Sequence, residues 1–176
     1  MGPLPPRWGY DNQVHGWHPD GKQVLFRSFR DSWDISVSQL FLVPAQGGMP
    51  TPLSVPEAGG GVLSPDGQHL FYSPFSRDFR TWKRYQGGWA QDLYIVNLKA
   101  RTIEQVTKHK RSDRDPIWIG KRLFFVSDRD GRLNLYEYDR TNKKSIQPTK
   151  HTDWDVRWPK GGPDGKRDAK FTLTVD

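Results

Sequence analysis

The sequence contains no cysteine, which excludes disulfide bonds and thiolate sites. It also lacks an uninterrupted apolar run of about 18 residues, so we expect no membrane-spanning helix. No apolar leader follows Met1, so no signal peptide is visible and we expect a cytoplasmic location. The fold must therefore be held by an internal core without covalent cross-links.

Apolar residues are scarce, at 34% of the sequence, but aromatic residues make up 13% and include 8 Trp. Large rings bury much area per residue, so a small number of apolar positions can still form a core. The formal net charge is +7, which attracts anions such as peptide carboxylates, nucleic acid or acidic membranes. The net charge alone does not distinguish among these partners. Basic residues that only make the surface soluble would give the same net charge.

A Pro-Asp-Gly turn recurs and divides the chain into similar units. It occurs at Pro19–Gly21, Pro65–Gly67 and Pro163–Gly165, and Ile119–Lys121 occupies the expected place between the last two. Asp-Gly favours tight hairpin turns because glycine adopts positive φ without a Cβ clash. Repeats of roughly 40–50 residues with several strands each are typical of propeller blades.

Short β-prone segments surround each turn in the same order. Before the turn lie 13–17, 59–63, 115–119 and 154–158; after it lie 24–26, 39–43 and 51–55, then 70–72, 92–96 and 103–107, then 123–126, 134–138 and 145–149. The last two segments of every unit keep a constant offset, which indicates a fixed hairpin. Gly59–Gly61 fit an inner strand at a crowded axis, although glycine also weakens strands and the segment can be a loop.

We therefore predict an all-β fold, a partial β-propeller of about three four-stranded antiparallel blades plus an incomplete one. Residues 1–176 would form a single domain, with blade units at about 12–56, 57–109 and 112–151 and an incomplete unit at 152–176. The main alternative is a β-sandwich with Greek-key connections, which does not require matched copies of one four-stranded unit.

The second unit carries an insertion, 75–89, in which basic residues alternate with aromatic rings. The candidate contact residues for a peptide or a protein partner are Arg77, Arg80, Trp82, Lys83, Arg84, Tyr85 and Trp89. Arginine forks bind carboxylates, and rings pack on peptide side chains. The same mixture can stack bases and neutralise phosphates, although the sequence has no recognised nucleic-acid-binding motif. A third interpretation is a loop that packs on a neighbouring blade.

The sequence shows no constellation for catalysis or metal binding. It has no Gly-x-Ser-x-Gly elbow, and its five histidines fall in predicted strands or turns. His15 and His18 would lie on opposite faces of an extended strand. Asp128–Gly131 has acidic residues like a calcium loop but lacks the distal glutamate. We expect a non-enzymatic chain with no cofactor and no metal; an intrinsic enzyme would instead hydrolyse peptides on its own.

Several segments carry a family resemblance. They are Phe79–Gly88 followed by Asp92–Tyr94, Trp118–Gly120, Ser127–Gly131 with Asn134–Tyr136, and Thr152–Pro159. These segments resemble the N-terminal propeller of tricorn-like serine proteases, peptidase family S41, over about Pro6 to Lys166. The insertion is the most specific part, because the Pro-Asp-Gly and Ser-Asp-Arg-Asp-Gly turns also occur in TolB-like propellers.

The resemblance implies a six-bladed domain that is followed, in the family, by a second propeller, a PDZ module and a serine-dependent catalytic domain. Such propellers are thought to filter and guide peptides. We thus expect a protein fragment, a non-catalytic module that binds or channels peptides toward a catalytic domain absent from this chain. The alternative is a TolB-like scaffold for protein–protein interaction with no protease connection.

An open arc of three blades would expose apolar faces and strand edges. Two copies would supply six blades, a normal propeller size, so we expect a homodimer that completes the ring. The last residues, Arg167–Asp176, depart from the blade pattern that the resemblance implies.

Overall fold

The computed structural model of the protein describes residues 12–32, 34, 37–75 and 85–161, together with the backbone of 170–175. Every helix or strand assigned in these ranges is a β-strand. The described part of the chain has no helix that is long and apolar enough to cross a membrane. The predicted all-β fold is confirmed.

The strands form antiparallel sheets in chain order, and we call these sheets blades 1 to 4. Blade 1 contains β1 (Asn12–Trp17), β2 (Gln23–Ser28), β3 (Gln39–Pro44) and β4 (Thr51–Pro52); blade 2 contains β5 (Gly60–Leu63), β6 (His69–Ser73), β7 (Tyr94–Asn97) and β8 (Thr102–Gln105); blade 3 contains β9 (Asp113–Ile119), β10 (Arg122–Ser127), β11 (Asn134–Asp139) and β12 (Lys144–Ile146); blade 4 pairs β13 (Trp154–Lys160) with β14 (Lys170–Val175). Three four-stranded blades and an incomplete one are present, as the repeat predicts. The single-domain limits of 1–176 and the unit boundaries stay a prediction.

The repeated turns connect the first two strands of blades 1, 2 and 3. Gly21, Gly67 and Gly120 adopt φ values of 71°, 68° and 57°, which is the conformation that favours glycine. Asp20 and Asp66 accept hydrogen bonds from the backbone N–H two residues later, at 2.8 and 3.0 Å. These Asx turns fix the hairpins locally, and the third predicted copy, Pro163–Gly165, lies outside the described residues.

The outer strand of blade 1 is shorter than the predicted segment 51–55. The N–H of Leu53 still donates to the carbonyl of Leu40 at 2.9 Å, but the N–H of Val55 donates to Leu53 at 2.7 Å. This local turn takes Val55 off the sheet edge and buries it between blades 1 and 2, where it is 3% exposed. Burial of an apolar side chain thus competes successfully with continued strand pairing.

The core consists of apolar layers between consecutive blades. Between blades 1 and 2 lie Leu25, Leu40, Val55, Ala58, Leu63, Leu70, Tyr72 and Val96; between blades 2 and 3 lie Phe71, Leu93, Ile95, Leu123, Phe125, Tyr136 and Tyr138; the layer reaching blade 4 contains Ile117, Ile119, Phe124, Val126, Leu133, Leu135 and Val156. Gly61 lets the first layer close, because a Cβ there would lie 3.1 Å from Leu40 Cδ1 and 2.9 Å from Tyr72 Cβ. The inner strands β1, β5, β9 and β13 lie next to one another along a common axis.

Candidate functional site

A repeated arginine clamp closes the axial end of blades 1 and 3. In blade 1, Arg30 donates to Ser28 Oγ at 3.2 Å and to Asn12 Oδ1 at 3.1 Å. Its guanidinium lies 4.9 and 5.2 Å from the ring centroids of Phe26 and Phe41. One side chain therefore joins the inner strand to the next two strands through hydrogen bonds and cation–π contacts.

Blade 3 repeats the clamp with a buried ion pair. Arg129 donates to Ser127 Oγ at 2.9 Å and to both carboxylate oxygens of Asp113 at 2.9 Å. Its guanidinium also lies over the rings of Phe125 and Tyr136, at 5.4 and 4.6 Å. Asp113 is 0% exposed, so these hydrogen bonds satisfy a carboxylate that would otherwise be costly to bury.

Blade 2 lacks the clamp. Strand registers place Gly60 opposite Ser73, as Asn12 lies opposite Ser28 and Asp113 opposite Ser127. Two positions beyond Ser73 the sequence has Phe75, where the other blades have arginine. The imidazole of His15 enters this space from blade 1, and its Cε1 lies 2.8 Å from the position that a Cβ on Gly60 would take.

Beside this contact lies a cavity of about 260 Å³, which all four inner strands line and which we call the axial cavity. The strand pairing of β1, β9 and β13 is irregular where these strands border the cavity. Asp115 and Trp158 adopt φ values of 53° and 49°, and each precedes a proline. Such bulges redirect side chains and are frequent next to functional sites.

Cations dominate the walls of the axial cavity. Arg27, Arg114 and Lys160 line it, against the single carboxylate of Asp115 among the described lining residues. Arg27 is 3% exposed and donates from Nη1 to the carbonyl of Gly59 at 3.1 Å. Arg114 Nε lies 3.4 Å from Asp115 Oδ2. The cavity is therefore a region of positive potential in a partly desolvated site, which favours anions.

The pKa of His15 depends on this environment. Burial, followed by the positive charges of Arg27 and Lys160, lowers the pKa of His15 from 6.5 to about 4. The ring is therefore neutral at pH 7. Its Nε2 is buried, and no described residue forms a hydrogen bond with it.

Gln91 adds a polar group to the cavity wall. Its side chain is 6% exposed, and its Nε2 donates to the carbonyl of Phe75 at 2.7 Å. A carbonyl can only accept, so the amide nitrogen must face Phe75 and Oε1 must face away from it. Within the described ranges Oε1 has no hydrogen-bond donor, although it is buried.

The insertion begins and ends at the rim of the axial cavity. Its predicted contact residues Arg77, Arg80, Trp82, Lys83 and Arg84 lie outside the described residues. Tyr85 is partly buried and packs over Gly87, and Trp89 is 50% exposed with its ring 5.8 Å from that of Phe75. Ser73, just before the insertion, and Gln91, just after it, both line the cavity.

Sequence reasoning missed the axial cavity. The sequence analysis does not single out Arg27, Gln91 or Arg114, because the chain separates them widely. One signal was available: Gly60 and Phe75 interrupt a pattern that blades 1 and 3 share, and a broken repeat position marks a place where the scaffold differs. Among the described residues, no group of three or more His, Asp or Glu side chains could hold a metal ion.

The fold and the axial cavity define an open β-propeller. The chain belongs to the family described as the tricorn protease N-terminal beta propeller domain, whose sequence pattern matches residues 5–166. Tricorn protease homolog 1 of Streptomyces coelicolor is 32% identical over 133 residues, which are 73% of this chain and 12% of that protein. The chain spans only 12% to 14% of the length of the tricorn-type relatives it matches.

Solved structures show the same fold. TolB from Acinetobacter baumannii superposes with a TM-score of 0.66 at 19% identity, over 93% of this chain and 41% of TolB. The crystal structure of the tricorn protease gives a TM-score of 0.51 at 18% identity, over 89% of this chain and 20% of the protease. The predicted family resemblance is confirmed, and the match is to a propeller domain, not to the catalytic part of the protease.

We predict that His15 makes the folded state sensitive to acid. The pKa of its ring is lowered on folding, so between pH 6.5 and about 4 the unfolded chain binds a proton that the folded chain excludes. The folded state therefore loses stability as pH falls through this window, by about 2 kcal/mol from pH 7 to pH 5 at ~1.4 kcal/mol per pKa unit. Urea unfolding at several pH values measures the loss.

The control for this experiment is His15→Gln, which removes the titrating ring but keeps a polar side chain. Protonation of carboxylates affects both proteins, so the difference between their pH profiles isolates His15. Parallel profiles between pH 7 and pH 5 would show that His15 titrates normally and would contradict the prediction.

Proposed function

We propose that this chain is a non-catalytic propeller module of a tricorn-like serine protease and that it binds or channels peptides toward a catalytic domain outside the chain. The observation that carries the proposal is that both ends of the insertion lie at the rim of the axial cavity. The 2.7 Å hydrogen bond from Gln91 to Phe75 and the Phe75–Trp89 ring contact join these ends.

The chemistry of the insertion suits a peptide. Its basic residues are Arg77, Arg80, Lys83 and Arg84, and its rings include Trp82, Tyr85 and Trp89. We assign the cations to carboxylates of the peptide and the rings to its apolar side chains. Trp89 is half exposed in spite of its contact with Phe75.

The test is a binding titration with a fluorescent acidic peptide whose carboxyl terminus is amidated, so that only its side-chain carboxylates are anionic. The variant that replaces Arg77, Arg80, Lys83 and Arg84 by Ala should bind at least about tenfold more weakly, because a charge-assisted hydrogen bond contributes about 1.5–3 kcal/mol. Fluorescence anisotropy at fixed ionic strength measures the dissociation constants.

A matched control replaces Lys108, Lys110, Lys121 and Lys144 by Ala, which removes the same charge from exposed positions outside the insertion. This control should bind the peptide within about twofold of the original chain, since long-range attraction between exposed charges is screened by salt. Equal binding by the insertion variant would remove the proposal. Binding of a folded protein without any binding of short peptides would favour the scaffold interpretation.

We also propose that the 176-residue chain associates with a second copy of itself. Blade 4 has two strands, and β14 has no described strand on its outer edge. Trp154 and Trp158 of blade 4 are 40% and 64% exposed, and Trp17 of blade 1 is 63% exposed. Two copies together supply six four-stranded blades and two partial ones, within the range of about 4–8 blades that propellers use.

Light scattering during gel filtration tests this association. At micromolar concentration we expect a mass twice that of the chain. On dilution the mass should fall toward that of a single chain, 20.4 kDa. Trp17→Ser should weaken the dimer, whereas Met49→Ser, at a position 86% exposed in a hairpin turn, should not. A monomer at every concentration would contradict self-association.

A further inference from the structure

The hairpin turns of blades 2 and 3 form a surface at the end of these blades opposite the insertion. Short turns join the first strand to the second and the third to the fourth, so the turns at 64–68, 98–101, 120–121 and 140–143 lie at one end. We call this surface the turn face. All of its residues are described, and none of them lines the axial cavity.

Contacts between the two blades make the turn face continuous. Lys143 Nζ, in the last turn of blade 3, lies 3.7 Å from Glu104 Oε1 in blade 2. The guanidinium of Arg140 lies 5.7 Å from the ring centroid of Trp118, and that ring lies 6.3 Å from the ring of His69 in blade 2. The turns of both blades can therefore contact one partner.

Cations are frequent and accessible on the turn face. Its exposed cations are Lys99, Arg101, Lys121, Arg140 and Lys143. Lys99, Arg101 and Lys121 form no ion pair with any residue that the structure describes. Their charges are therefore available to an anionic group from outside the chain.

The carboxylates beside these cations are engaged within their own turns. The side-chain amide of Asn142, at 2.6 Å, and the backbone N–H groups of Thr141 and Asn142, at 2.8 and 3.3 Å, donate to Asp139 and lower the pKa of its carboxyl. The carboxylate of Asp66 accepts a hydrogen bond from the N–H of Gln68 at 3.0 Å. These groups stabilise the turns, and a surplus of positive charge remains.

Two of the cations occupy strained backbone positions. Arg101 and Lys143 have φ values of 55° and 51°, a region that is unfavourable for a residue with a Cβ. The positions are equivalent, because each lies four residues after Asn97 or Asp139, whose side chain accepts from the N–H groups two and three residues later. Blade 1 has Gly47–Gly48 in its corresponding turn, both with positive φ. Glycine would relieve the strain, so a cation at both turns indicates a functional contact.

We propose that the turn face binds the acidic surface of a protein partner, whose carboxylates contact Arg101 and Lys143. The carboxylates of Asp66 and Asp139 lie among the cations and would repel the closely spaced phosphates of a nucleic acid. A protein surface that carries charges of both signs can complement this mixture. The proposal uses no residue of the insertion and is independent of peptide capture there.

The test follows backbone amide resonances of the full chain by NMR at fixed ionic strength. The acidic probe is a Glu-Ser repeat peptide that is capped at both ends. It should shift the signals of Ala100 and Asn142, which lie in the turns of blades 2 and 3. Capture by the insertion would instead shift the signals of Gly87 and Trp89, so the two proposals succeed or fail separately. The uncharged Gln-Ser peptide should leave the turn-face signals unchanged.

Two other polyanions test the class of partner. Oligothymidine of equal charge should bind the turn face about tenfold more weakly than the Glu-Ser peptide, because its phosphates meet the carboxylates of Asp66 and Asp139. Vesicles that contain phosphatidylserine should leave the turn-face signals unchanged. Binding of either polyanion as tightly as the peptide would overturn the assignment to a protein partner. Failure of the peptide to shift the turn-face signals would overturn it as well.

A glycine variant separates contact from strain. Arg101→Gly combined with Lys143→Gly should weaken peptide binding at the turn face about tenfold, because two charge-assisted contacts are lost. The same variant should unfold at a higher urea concentration, because glycine adopts the positive φ of these turns without a Cβ clash. Residues with a merely structural role would not change binding and stability in opposite directions. The charge-preserving variant, Arg101→Lys with Lys143→Arg, should bind like the original chain.

The matched control is Lys108→Gly combined with Lys110→Gly, which removes the same charge from the loop that follows β8, at the opposite end of blade 2. Peptide binding at the turn face should stay within about twofold of the original, because attraction between distant exposed charges is screened by salt. Equal losses in the two glycine variants would show that only net charge acts. A lower urea midpoint for the turn-face variant would contradict the strain. Either result would refute the proposal.

Discussion

Contact between the faces of neighbouring blades is the constraint on which the rest of this structure depends. The chain has no cysteine, and the described residues contain no helix that could cover a sheet. Each blade can bury its large side chains only against the next blade, as Leu25 and Leu40 do against Leu70. Burial of each such side chain stabilises the fold by about 1.5–3 kcal/mol. The close approach this requires is visible at Gly61, where no side chain would fit.

The same close packing explains where the candidate site lies. Inner strands that meet at one axis leave little room. A position near the axis therefore either holds a side chain whose polar groups are hydrogen-bonded or stays empty. Blades 1 and 3 fill theirs with Arg30 and Arg129, each held by hydrogen bonds and by aromatic rings. Blade 2 has Gly60 there and admits His15 from the neighbouring blade. The axial cavity, its positively charged walls and the two ends of the insertion all lie where blade 2 departs from the pattern of blades 1 and 3.

Much of the fold could be predicted from the sequence because it is encoded locally. Asp20 and Gly21 specify a turn by their own chemistry, and the turn fixes the register of the strands beside it. Outer strands were less predictable: Val55 leaves the edge of blade 1 to reach the core, which depends on a partner from another blade. The cavity residues could not be found in this way, since Arg27, Gln91 and Arg114 become neighbours only when the blades pack.

The contact between His15 and Gly60 is the most direct point at which to test this account, through a double-mutant cycle of Gly60→Ala and His15→Ala. The added methyl group would meet the imidazole at 2.8 Å, so Gly60→Ala alone should destabilise the chain by about 1–3 kcal/mol. With His15→Ala present, the same change should cost less than about 0.5 kcal/mol, a clear coupling between two blades. Additive free energies of unfolding would show that the inner strands do not meet there and would contradict the arrangement of blades around the axis.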